Sequence, residues 1–94
     1  MVKKFKKIPE EIEAVQWPGF FEHTRKFCNQ IEAWISEKGG KGYFVGEVYY
    51  VQTVEGDLTV YVDDWITYNQ VTQELGVCNE TYFKQTYEEI KNDA

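Results

Sequence analysis

Asp63 and Asp64 stand side by side in VDDWITYN, and two adjoining carboxylates could act as a general acid and base. Strand geometry opposes that use. Neighbours on a strand point to opposite faces, so the pair converges only at a bend. The flanking runs Leu58–Val62 and Trp65–Tyr68 both read as strands, and Asp is a favoured turn former. The spacing predicts a turn at Asp63-Asp64 and no catalytic pair. His23 is the only histidine, and no Ser or Cys is placed by sequence to serve it as a nucleophile. Cys28 follows five residues later, over a quarter-turn away on a helix. GGKG at 39–42 lacks the G-x-x-x-x-G-K-[ST] spacing of a phosphate loop and follows a helical pattern instead of a strand. No carboxylates have EF-hand spacing, and no His/Cys set could close a zinc site. The residues therefore predict a non-enzymatic protein with no metal or cofactor.

Charge is unevenly spread. Residues 1–42 carry eight Lys/Arg against six Asp/Glu, whereas residues 43–94 carry two against ten. All seven tyrosines also fall in that acidic half. Tyrosine supplies stiff anchors for protein recognition, and an acidic surface suits a basic partner. The expected binding surface comprises Glu47, Glu55, Asp57, Asp63 and Asp64 with Tyr49, Tyr61 and Tyr68. A second reading is a small-ligand protein that sequesters a nucleotide in an aromatic-lined pocket. A third is nucleic-acid binding through a basic arm, residues 1–7, with Lys3, Lys4, Lys6 and Lys7 joined by Arg25-Lys26. The acidic half opposes that third reading, because it repels a phosphate backbone.

The elements that must position these residues form one domain of 94 residues, with sixteen aromatics to build its core. The alternation after Pro9 predicts an edge strand over 10–17. Phe20, Phe21, Thr24, Phe27, Cys28, Ile31, Trp34 and Ile35 recur at helical spacing, predicting a helix over 20–38 closed by Gly39-Gly40. Phe27, Ile31 and Trp34 or Ile35 should face a sheet. Residues 48–54 and 58–62 should pair antiparallel, with Gly56 at a positive φ. A short strand over 74–78 precedes a helical turn capped by Asn79, and residues 86–90 are read as extended. The fold class is α+β: an antiparallel sheet of about four to six strands packed on one main helix, with a short C-terminal helical turn. No apolar run reaches the roughly 20 residues needed to span a membrane. The N-terminal lysines lack a following apolar stretch, so no secretory signal is expected. Cys28 and Cys78 read as reduced thiols of a cytoplasmic protein.

Three stretches carry a resemblance: KKFKKIPEEIEAVQW, TVEGDLTVYVDDWIT and ELGVCNETYFKQTYEEI. Together they resemble a family of small proteins of unknown function encoded by tailed phages and prophages. The family pattern has Gly-Asp where this chain has Asp63-Asp64, a glycine near Asn69, and Tyr-Pro where this chain has Gly76-Val77. The resemblance implies a phage accessory protein acting in the bacterial cytoplasm on a host protein, including the countering of host defence. It brings no catalytic residues.

Overall fold

A computed structural model describes residues 2–7 and 10–89. The chain is α+β. Strands β1 (Lys3–Lys7) and β2 (Glu10–Gln16) pair antiparallel, with Lys3 opposite Ala14 and Lys7 opposite Glu10. The lysine-rich segment expected as an arm is thus a strand over residues 3–7. After a 3-10 turn at Glu22–Thr24 comes α1 (Arg25–Glu37). Strands β3 (Gly42–Val45), β4 (Val48–Thr53) and β5 (Gly56–Val60) form a three-stranded antiparallel meander. Strands β6 (Trp65–Asn69) and β7 (Glu74–Cys78), the helix α2 (Glu80–Thr86) and a short β8 (Glu88–Glu89) complete the chain. The strands divide between two sheets, the second ordered β7-β6-β2-β1-β8.

β2 is central in that sheet, not an edge, because β6 takes its second side with Val15 opposite Ile66. Pro9 lies outside the described residues. The β4–β5 loop is Val54-Glu55, with Gly56 at φ +110°, the positive value expected there. Asp63-Asp64 is a turn, but one that carries the chain from one sheet to the other. The Asp64 amide donates to the Tyr61 carbonyl at 3.0 Å, and Asp63 takes φ +71°. A type II turn needs that left-handed value at its third position, which glycine adopts without strain. Two bonds to Trp17 pin the corner: Asp63 N–H to its carbonyl and its own N–H to Asp64, both 2.8 Å.

The helix buries Thr24, Cys28, Ile31, Trp34 and Ile35. Phe27, expected on that face, is half exposed, because Thr24, Cys28, Ile31 and Ile35 set a stripe that Phe27 flanks. Gly39-Gly40 ends the helix as expected: their amides donate to Ser36 and Ile35 carbonyls at 3.0 and 2.9 Å, the Schellman pattern. Asn79 caps α2 by accepting from the Tyr82 amide at 2.7 Å. Of residues 86–90, Thr86 instead ends α2, residues 88–89 are extended as expected, and Ile90 lies outside the described residues.

One core joins Val15, Trp17, Ile66 and the helix stripe to Tyr49, Val51 and Val60. A second packs Phe83 of α2 on Ile12 and Ala14, its ring stacked 4.1 Å from Trp65. The five-stranded sheet is therefore covered on both faces. Cys28 is buried and Cys78 half-buried, and both are free thiols. Burial pushes both thiols up, Cys78 to about 11. No described helix is long and apolar enough to cross a membrane.

Candidate protein-docking groove

The eight residues selected from the sequence do not form one site. Tyr49 leaves the surface altogether: it is 1% exposed, its ring stacks 4.2 Å from Trp17, and burial pushes its hydroxyl pKa up. Its place on β4 decides this, since alternate residues Tyr49 and Val51 face the core. Tyr68 is half-buried beneath Lys38, whose Nζ lies 5.0 Å from the ring centroid. Glu55 and Asp57 sit at the β4–β5 hairpin, where Asp57 accepts a bond from the Tyr43 hydroxyl. Glu47 occupies the β3–β4 turn at the other end of β4, six residues or about 20 Å of strand away. Tyr61 and the Asp63-Asp64 corner follow β5 at that same end as Glu47.

Around Glu47 and Tyr61 the structure forms an open groove of about 480 Å³. Its floor is Trp17 and Val60, both buried, and its walls are Phe20, Phe21, Val48, Tyr61 and Val62. The wall residues are unusually open for apolar side chains: Phe20 47%, Phe21 50%, Val62 53% and Tyr61 68% exposed. Single exposed apolar residues are ordinary, but a contiguous set around a concavity marks an interaction surface. Among the described residues, no lysine or arginine lines it.

The walls are held in place by local hydrogen bonding. Pro18-Gly19 breaks the chain before the helix, so Phe20 and Phe21 precede the first turn instead of lying on its face. The Thr24 hydroxyl donates to the Gly19 carbonyl at 2.6 Å and accepts from the Phe21 amide at 2.9 Å. Gly19 must lack a side chain: a Cβ there would lie 2.6 Å from the Phe21 ring and 2.9 Å from Val62. Phe44 supports the other side, its ring 4.9 Å from Phe20. Phe20, Phe21, Val48 and Val62 escape sequence reasoning because apolar periodicity assigns them to a core. The Pro18-Gly19 break was the signal that the first two leave the helix.

The Asp64 carboxylate accepts the Tyr61 amide at 2.9 Å and is spent on its own turn. His23 is a surface residue stacked on Phe21 at 5.6 Å. Among the described residues, no group of three or more His, Cys, Asp or Glu could hold a metal. A separate cluster links helix to sheet: Lys38 Nζ lies 2.8 Å from Glu13 Oε2, and Gln70 Nε2 donates to the same oxygen at 2.9 Å. Burial raises the Glu13 pKa, but bonds from Lys38 and Gln70 and the charge of Lys38 outweigh it and hold the carboxyl below its usual range. That pair was invisible in the sequence, its members being 25 residues apart.

Comparison with protein-family models, curated proteins and solved structures found no match.

Proposed function

We propose that this chain is a non-enzymatic binding protein, a small phage accessory protein that engages a host protein in the bacterial cytoplasm. The observation that carries this reading is that Glu47 and Tyr61 line a groove of water-exposed apolar side chains at one end of the sheet, with Asp63 the next residue after its wall at Val62. The acidic balance of residues 43–94 adds a field that steers a basic partner and raises its association rate. A concrete version is an inhibitor of a bacterial defence nuclease such as a CRISPR effector. The Lys/Arg channel that holds nucleic acid in such an enzyme is a surface of the right charge. The resemblance to phage proteins supports the setting, and the free thiols suit it.

The test is a pull-down from host lysate with the whole chain as bait, followed by association kinetics over a salt series. The reading expects a protein partner whose association slows as salt rises, and slows further when Asp63→Asn and Glu47→Gln are combined. A partner that associates at one rate at every salt concentration, with both variants, would refute the electrostatic reading.

A further inference from the structure

Resting on that reading, we infer that the groove accepts an extended protein segment: an aromatic or branched aliphatic side chain set over Trp17 and Val60, flanked by Lys or Arg that reach Glu47 and Asp63. The floor offers the indole of Trp17 and the methyls of Val60, and the walls offer aromatic faces and valine methyls. Hydrogen bonding is scarce there. The Tyr61, Asp63 and Trp17 amides are already bonded, at 2.9, 2.8 and 2.8 Å. Among the lining side chains the polar groups are the Glu47 carboxylate, the Tyr61 hydroxyl and the Trp17 indole N–H. A nucleotide or other polar small molecule needs several convergent polar groups, and this concavity supplies few.

Charge decides between the macromolecules. A nucleic acid would bring phosphates against Glu47 and Asp63 with no cation in the lining to receive them. A second copy of this chain, docked groove to groove about a two-fold axis, would set each acidic rim against its own image in a protein of net charge −6. A segment with cationic flanks gains where both of those lose. The walls are also pre-arranged, since Thr24 and Gly19 lock the Phe20-Phe21 backbone, so binding orders little of this chain.

The experiment titrates the whole protein with four probes and reads backbone amide and indole shifts by NMR. The probes are a peptide with a Leu-Phe-Leu core flanked by Lys and Arg, the same core flanked by Glu, the basic flanks around Ser-Ser-Ser, and a single-stranded oligonucleotide. The basic apolar peptide should shift Gly19, Val48, Val62 and the Trp17 indole, and bind at least tenfold tighter than the other three. Phe21→Ser and Val62→Ser should each weaken it at least fivefold, while Val71→Ser, an exposed valine outside the groove, should not. No shift with the basic apolar peptide, equal affinity for the Glu-flanked peptide, or tighter binding of the oligonucleotide would overturn the inference. So would a concentration-dependent dimer that Phe21→Ser dissolves, since the occupant would then be a second copy. The two readings separate in the pull-down. A partner retained by Phe21→Ser but lost in salt sinks the groove and leaves the acidic surface; the converse leaves the groove and sinks the electrostatics.

Discussion

The two ends of the three-stranded sheet carry similar chemistry and very different surroundings. At the β4–β5 hairpin, Glu55 and Asp57 stand in water beside Tyr43, whose hydroxyl bonds Asp57. At the opposite end, Glu47, Tyr61 and Asp63 border apolar side chains that the fold leaves half open. Both ends would score alike on charge and tyrosine content. The hairpin end opens Val54 beside Glu55, whereas the opposite end sets its acid against a contiguous group of open side chains, Phe20, Phe21, Val48 and Val62, whose burial would release more free energy at about 25 cal/mol per Å² removed from water. Acidity alone is solvation; acidity around unburied apolar surface is what the proposed docking groove rests on.

The comparison breaks most visibly beneath the groove. Trp17→Ala removes the stacked partner of Tyr49 and should cost about 3–5 kcal/mol in urea unfolding. Phe21→Ser should cost under about 1 kcal/mol of stability, because half of the ring already faces water, while weakening partner binding. If both variants lose the same stability, the wall is core and the groove is not a free surface.

Another acid, Glu13, belongs to neither end and contributes to the pH response. Its folded pKa is depressed, so its contribution is present above the unfolded value near 4.5 and is lost as pH falls through the lower folded value. Glu13→Gln should therefore flatten the stability loss as pH falls below the unfolded value near 4.5 in acid-denaturation curves, leaving partner association at neutral pH unchanged. A parental acid limb in Glu13→Gln would show that other carboxylates govern it.

The smallest effects concern the turns. Asp63→Gly relieves a left-handed backbone and should stabilise by about 0.5 kcal/mol, the strain relieved exceeding the added chain entropy. It also removes a rim charge, so partner association should slow at low salt. Glu55→Gln with Asp57→Asn, at the hairpin end, should change stability by under about 0.5 kcal/mol and association not at all beyond the small change in net charge. Equal slowing from both ends would erase the distinction drawn between them.

Local rules made much of the fold legible. Helical spacing from Thr24 to Ile35, the Asn79 cap, the Gly39-Gly40 stop and the positive φ at Gly56 each depend on residues within a turn or two of one another. The candidate site was less so. Of the eight residues chosen for it, Glu47, Tyr61 and Asp63 gather at one end, Asp64 closes its own turn, and Tyr49 is core. Phe27 and Phe20 share the helical spacing of Ile31, yet stay half exposed, because Phe27 flanks the buried stripe and Phe20 precedes the helix altogether.

By itself the sequence determined an α+β chain with one amphipathic helix, several short strands, turns at identifiable residues and an acidic second half. Tertiary structure alone decided that the strands split into two sheets, that β2 is central, and that Trp17 meets Asp64 across 47 positions. The physical reason is the range of each cause. Caps, turns and periodicity act over a few residues, whereas strand order and register arise from distant segments competing to bury the same faces, where one step of register exchanges core for surface. The groove is a product of that competition: Phe20, Phe21, Val48 and Val62 lie at the meeting of three segments, none of which fully covers them.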